Sequence, residues 1–266
     1  MLIDQFLDAI LLGLVEGLTE FLPVSSTGHL IILGDFLGFQ GPPGKVFEVT
    51  IQLGAILAIC VVYFARLWRV ATGLPSDPNA RRFVLAVLLA FLPAMVLGAG
   101  LHGFIKNTLF NPTVVSVMLI VGGVAILLIE RFVPSPRFHA IERFPAPLAL
   151  KIGLFQCLAL VPGVSRSGAT ILGSLMMGVD RRTAAEFTFF LAIPTMAGAT
   201  VYDLYKNWNA MSFDSGALIA VGFVTAFIAA AVVVKTLVDF VGRYGFAPFG
   251  WYRIALGSGM LAFLYL

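Results

Sequence analysis

Apolar residues fill this chain in long runs rather than at alternating or one-face positions. Six runs, approximately 48–66, 82–102, 113–131, 185–203, 216–240 and 248–266, come close to the ~20 residues a helix needs to cross a bilayer. Two further regions, roughly 4–39 and 148–179, are apolar but interrupted. The first breaks at Pro23-Val24-Ser25-Ser26-Thr27-Gly28, the second at Pro162-Gly163-Val164-Ser165-Arg166-Ser167-Gly168. Their arms are short for a full crossing, so each region predicts a re-entrant helical hairpin that enters and leaves on one side. Such backbone at membrane depth is tolerated only where protein or a wet cavity satisfies it.

The two breaks resemble each other. Val24-Ser25-Ser26-Thr27-Gly28 aligns with Val164-Ser165-Arg166-Ser167-Gly168 at an offset of 140, and the same register aligns Phe47 with Phe187. The pattern therefore predicts an all-α integral membrane protein built as an inverted-topology repeat. Each half holds one re-entrant hairpin and three transmembrane helices, giving six spans and two hairpins in all. A single membrane domain covers 1–266, with repeat one over 1–132 and repeat two over 148–266.

Charge placement sets the expected orientation. Arg66, Arg69, Arg81 and Arg82 bracket one loop, and Arg131, Arg137, Arg143 and Lys151 occupy or border another. Arg181 and Arg182 follow the second hairpin, and Arg243 lies in a third loop with Lys235 and Arg253 nearby. Lys45, Lys106 and Lys206 fall on the opposite side. The positive-inside rule puts the richer set in the cytoplasm. Counting crossings from there places the first hairpin on the outer side and the second on the inner side. Two broken hairpins entering from opposite faces are expected to meet near the bilayer midplane.

Composition agrees with this picture. The 266 residues are 59% hydrophobic and only 12% charged, with a mean hydropathy of +0.98. A soluble domain would carry about 25% charged residues. The net charge of +3 gives no nucleic-acid signal, because the basic residues follow the loops. Cys60 and Cys157 sit in apolar runs and read as buried free thiols, with no metal-ligand spacing. The start, MLIDQFLDAILLG, lacks the positive n-region of a cleaved signal, so insertion is expected from the later helices. No phosphate-binding GxxxxGK[ST] loop is present, which argues against nucleotide-driven transport.

The chemistry concentrates in EGLTEFLPVSSTGH, 16–29. Ionisable groups at membrane depth are costly and usually face a cavity where they do work. Glu16 and Glu20, four apart, share a helix face and suit a hard divalent cation such as Mg²⁺, with one of them free to act as a general base. Ser25, Ser26 and Thr27 follow Pro23 at the start of a new helix. Capping explains one hydroxyl there, but not three with a histidine close behind. Ser26 and His29, three apart, form a possible nucleophile–base pair, and the free N–H groups of the helix start favour an anion. In the second break Arg166 stands between Ser165 and Ser167, with Thr170 one turn on. Arginine among hydroxyls at a helix start describes a phosphate clamp, or a salt bridge to Glu16 or Glu20 in the empty state. Gly13/Gly17 and Gly34/Gly38 suggest close helix packing. Glu48 and Glu186 lie near helix starts, where a cap or dipole role is expected, with Glu186 able to support the site. His102 and His139 receive no role.

EGLTEFLPVSSTGH at 16–29 and PGVSRSGAT at 162–170 closely resemble the two signature motifs of bacterial undecaprenyl-diphosphate phosphatases, also known as bacitracin-resistance proteins. FEVTIQLGAILA at 47–58 and EFTFFLAIP at 186–194 look like that family too, so the resemblance covers essentially the whole chain. It implies removal of the terminal phosphate from undecaprenyl diphosphate, which recycles the lipid carrier for peptidoglycan synthesis. It further implies the bacterial inner membrane, a site open to the periplasm, a divalent cation (Mg²⁺ or Ca²⁺) and a homodimer. By the same resemblance Glu16 and Glu20 are the glutamate pair, Ser26 the proposed nucleophile and His29 its histidine. Arg166 binds the diphosphate among Ser165, Ser167 and Thr170, with Ser25 and Thr27 opposite. Attack by Ser26 and attack by an activated water both fit this residue list. The rival class is a polyprenyl-phosphate transporter or flippase using the same cavity, since broken-helix repeats are a common transporter plan. The acid-phosphatase-like lipid phosphatases also carry an SR motif, but the position where they need a histidine is Leu172 here.

Overall fold

The computed structural model describes residues 2–39, 41, 46–104, 109, 111–207 and 216–265. Lys45 and Lys106, which the sequence puts on the outer side, lie outside them, as does the side chain of Lys206. The described chain is all-helical apart from turns and one isolated bridge between Phe138 and Val179. Eleven α-helices follow in order: α1 (Leu2–Thr19), α2 (Ser26–Leu37), α3 (Val46–Val62), α4 (Phe64–Gly73), α5 (Pro78–Phe104), α6 (Pro112–Phe132), α7 (Ala146–Gln156), α8 (Arg166–Met176), α9 (Arg181–Asn207), α10 (Gly216–Tyr244) and α11 (Ala247–Tyr265).

Within α5, α6, α9 and α10, four stretches among the described residues are long and apolar enough to cross a membrane. A fifth results if α3 and α4 count as one bent span. This is a multi-pass membrane protein. The apolar run at 48–66 is not one straight helix. It breaks at Tyr63 and turns by 73° into α4, which buries no residue. Arg66, Arg69 and an exposed Trp68 give α4 the character of a helix lying along an interface. The last run, now α11, is not among the long apolar helices: Arg253 and the Trp251–Tyr252 pair dilute it. Exposed Val121, Leu128, Val232 and Phe263 line outer helix faces, as expected of surfaces bathed in lipid tails.

Both interrupted regions fold as helical hairpins, α1–α2 and α7–α8. Their turns are built alike. Ser25 has φ 70° and Ser165 has φ 72°, and among the described residues these are the only non-glycine positions with positive φ. They stand 140 apart, each immediately before a new helix. The neighbourhoods exchange in the same register: α1 packs on α10 and α7 on α5, while α6 packs on α11. Gly13 and Gly17 let α1 approach closely, since a methyl at either would meet the backbone of Gly222 or Ala226. Gly34 and Gly38 do not pack this way. Gly34 faces open space, and Gly38 ends α2 in the left-handed conformation, φ 61°. Cys60 and Cys157 are free thiols, half-buried rather than buried.

The main core is rich in phenylalanine. Phe21, Phe187, Phe189 and Phe190 are fully buried, and Phe21 meets Phe189 edge-on at 5.6 Å. Beside it Arg66 does more than mark a loop. Its guanidinium binds Glu186 at 2.7 Å and Glu142 at 3.0 Å and lies over the rings of Phe83 and Phe190. Glu186 is thus paired with Arg66 and is not a cap. Arg66→Ala would strand two carboxylates that are only 27% and 28% exposed. The expected loss is about 1–3 kcal/mol, read as a lower melting temperature of the detergent-solubilised protein.

Candidate active site

The two hairpin turns meet. Ser167 Oγ in the second donates to the Leu22 carbonyl in the first at 2.7 Å. Arg166 Nη2 reaches Glu20 Oε1 at 3.1 Å across the same junction. Between the turns lies a cavity of about 280 Å³. Glu20, Ser25, Ser26, Thr27, Ser165 and Arg166 all line it, so six of the ten site residues expected from sequence share one space.

The geometry at its centre runs through Glu20. Ser26 Oγ donates to Glu20 Oε2 at 2.5 Å, and Arg166 holds the other carboxylate oxygen. Ser26 and Arg166 stand 140 apart as the first residues of α2 and α8, so matching helix starts carry a hydroxyl in one hairpin and a guanidinium in the other. The ion pair is nearly closed to solvent, with side chains 13% and 9% exposed. Arg166 also donates through Nη1 to the Thr188 carbonyl at 3.2 Å, while its Nε is buried with no partner. A buried N–H without an acceptor costs free energy, so this donor is chemically unsatisfied in the structure.

His29 is placed differently from the pair that its spacing suggested. Nδ1 lies 2.8 Å from the Ser25 carbonyl and Nε2 lies 2.6 Å from the Tyr252 hydroxyl, with the two rings parallel at 5.5 Å. Both nitrogens are engaged away from Ser26, whose hydroxyl is on Glu20 instead. His29, Ser167, Thr170 and Glu16 are not among the cavity-lining residues. Ser167 and Thr170 brace the turn: Ser167 also lies 3.0 Å from Ser165 Oγ, and Thr170 donates to the Arg166 carbonyl at 2.9 Å. Ser165 caps α8 by accepting from Gly168 N at 3.1 Å, whereas Ser25 makes no such bond to α2.

Glu16 is the outstanding anomaly. It is fully buried, neither carboxylate oxygen meets an N–H or hydroxyl donor, and its nearest ionisable neighbour is the Glu20 carboxylate. A buried carboxylate in that state costs several kcal/mol unless a proton or a cation compensates it. With Glu20 one turn away, the pair presents only oxygen donors, as a hard divalent cation requires. Among the described residues no group of three or more ligating side chains exists, so any cation here would complete its shell with water or a ligand.

Several cavity residues escaped the sequence reading. Gln52 on α3 and Thr195 and Met196 on α9 line it. So does Gln156, which stands 140 positions after Glu16, the same offset that aligns the two breaks. The charge pattern places Arg253 near a loop, yet the structure buries it to 1% exposure. An arginine inside an apolar run was itself the clue. A larger recess of about 420 Å³ lies elsewhere, beside Glu130, Asp180, Arg181 and Arg182. Its charges are spent on structure: Glu130 binds Arg181 and Phe246 N, and Arg182 binds Asp239.

Comparison with known proteins extends over nearly the full chain. The family model for bacitracin resistance protein BacA matches residues 9–259. Undecaprenyl-diphosphatase 2 of Paramagnetospirillum magneticum is 61% identical over 254 residues, covering 96% of this chain and 97% of that protein. An undecaprenyl-diphosphatase of Azospirillum brasilense is 82% identical over 187 residues, 70% of this chain and all of that protein. Undecaprenyl-diphosphatase 1 of Agrobacterium fabrum is 58% identical over 263 residues, 98% of each.

Proposed function

The chain belongs to the bacitracin resistance protein BacA family, and we propose that it hydrolyses undecaprenyl diphosphate to undecaprenyl phosphate and inorganic phosphate at the Glu20–Ser26–Arg166 cavity. The observation that carries this reading is the shared carboxylate: one glutamate holds a hydroxyl on one oxygen and an arginine on the other. A transporter needs the arginine for its anionic cargo but has no use for a hydroxyl poised on a carboxylate.

The chemistry follows from those contacts. The diphosphate enters the cavity and takes up the spare Arg166 Nε and the free N–H groups at the start of α2. Glu20 accepts the Ser26 proton as Oγ attacks the terminal phosphorus. A new O–P bond forms, the bridging P–O bond breaks, and the lipid monophosphate leaves. Water then attacks the phosphoserine. Glu20 returns its proton to Ser26 Oγ as the ester bond breaks, and phosphate departs with the proton lost by the water. Arg166 stabilises the charge spread over the equatorial oxygens in both steps. Ser25, Thr27 and Ser165 offer further hydroxyls to the phosphates from the cavity wall. His29 fixes the Ser25 carbonyl, and Tyr252 fixes His29.

Glu16 and Glu20 would hold a divalent cation, Mg²⁺ or Ca²⁺, which supplies charge neutralisation for the diphosphate oxygens. The orphaned Glu16 carboxylate is what makes the residues fit. The cavity, about 280 Å³, suits a headgroup and leaves a C55 chain outside, among the helices.

We further propose the inverted repeat of six spans and two hairpins, with the site opening to the periplasmic side of the inner membrane. Matching turns at Ser25 and Ser165, exchanged packing partners and the loop charges support it.

The test is phosphate release from undecaprenyl diphosphate by purified protein. Release is expected to stop with chelator and return with Mg²⁺ or Ca²⁺. Glu16→Gln should raise the cation concentration for half-maximal activity at least ~10-fold, because one of two charged ligands is lost. Protein that moves the monophosphate lipid across vesicles without cleaving the diphosphate would refute the proposal.

A further inference from the structure

Arg253 takes no part in the chemistry described above. This side chain lies in α11, is 1% exposed, and among the described residues contacts no carboxylate. Instead it donates to five backbone carbonyls. Nε reaches Leu119 at 3.2 Å and Nη2 reaches Met118 at 3.0 Å, both on α6. Nη1 reaches Pro23 at 3.0 Å and Val164 at 2.9 Å, and Nη2 also reaches Gly163 at 2.9 Å. All five N–H donors of the guanidinium are therefore used, and a single nitrogen bridges the two hairpin turns.

Those turns are the ones that carry the site. Pro23 lies three residues before Ser26, and Gly163 three residues before Arg166. Pro23 and Gly163 are also one repeat apart, so Arg253 grips the same carbonyl in both halves. Between each grip and its functional residue stands a serine at positive φ, Ser25 or Ser165. An L-residue persists there only when its surroundings over-determine it. Leaving these carbonyls unpaired at membrane depth would free both turns to relax.

We propose that Arg253 is a positioning residue for the hydrolysis: it locks the turn bearing Ser26 against the turn bearing Arg166, and so sets the distance between nucleophile and phosphate grip. The proposal rests on the function argued above. Neither Ser26 nor Arg166 touches Arg253, so its effect is on geometry, and a small misplacement of reacting groups costs turnover more than binding.

Lysine has three donors at one point and cannot reproduce five bonds spread over a planar fork. Arg253→Lys is expected to lower kcat about 10-fold and Arg253→Gln about 100-fold, with KM within about threefold of wild type. Gly122→Ala disturbs the clamp with the arginine intact, because a methyl there would run into the guanidinium. It should reproduce the Lys phenotype and carries the test if Arg253 variants fail to fold. Gly250→Ala is the control. Its methyl would crowd the Gly123 carbonyl and the Leu127 side chain in the same α6–α11 interface, and neither residue belongs to the clamp. It should lower the melting temperature yet keep kcat per folded molecule within about twofold. Wild-type kcat in Arg253→Lys or Gly122→Ala overturns the proposal. So does a loss of kcat in Gly250→Ala as large as theirs at equal melting temperature, which would make Arg253 a fold-stabilising residue only. Wild-type protein that releases no phosphate refutes the function itself, a result distinct from normal kcat in the variants.

Discussion

Alanine at Ser26 should lower kcat by about 10³-fold or more while leaving the protein folded and KM little changed. The hydroxyl sits on Glu20 Oε2 and lines the cavity, so its removal deletes the attacking atom and leaves the phosphate grip intact. Loss of a nucleophile that works with its base typically costs several orders of magnitude, and the remainder comes from binding and charge stabilisation. Glu20→Gln should cost a similar factor. The double variant should then be little worse than either single one, because the two residues act as a unit. Rapid acid quench with substrate labelled on the terminal phosphate should recover label on Ser26. If Ser26→Ala keeps kcat within tenfold of wild type and no label is trapped, water attacks directly with Glu20 as its base, and Ser26 only orients the carboxylate.

That Ser26 bonds Glu20 and not His29 was not legible in the sequence. The three-residue spacing says that Ser26 and His29 share a face of α2, and nothing more. What decides His29's partner is α11, whose Tyr252 is 223 positions away. Ser26 and Glu20 are only six apart, but the turn between them is irregular, so helical spacing rules do not apply. The two breaks themselves were plain, because Pro23 and Pro162-Gly163 interrupt apolar runs. Their conformation was not: serine is an unexpected residue at positive φ, and its tolerance depends on the Arg253 clamp from a distant helix. The bend after α3 was hidden for another reason. Tyr63 and Phe64 continue the apolar run without a glycine or proline, so only the change to an amphipathic face along α4 marks it. Hydropathy reports how apolar a segment is, and it finds long helices well. It treats Arg253 as a charge to be kept near a loop, whereas five carbonyls make it a core residue.

Arg166→Lys should lower kcat/KM by about 10²–10³-fold, and Arg166→Ala by about 10³–10⁵-fold. The arginine does three things at once. Nη2 holds Glu20, Nη1 holds the Thr188 carbonyl, and the buried Nε has no protein partner. A planar fork can keep the first two contacts while offering the third to phosphate. A lysine ammonium is one point and must choose among them. In the Lys variant the positive charge remains beside Glu20, so the loss should fall mainly on phosphate recognition and appear in KM. In the Ala variant Glu20 also loses its counter-charge in a nearly closed site, where such interactions are strong. A carboxylate without that partner is no longer held in place to accept the Ser26 proton. Arg166→Ala should therefore lower kcat as well as raise KM. Steady-state kinetics of both variants measure this directly. Equal kcat/KM for Arg166→Lys and wild type would remove Arg166 from the phosphate grip and leave it as the counter-ion of Glu20 alone.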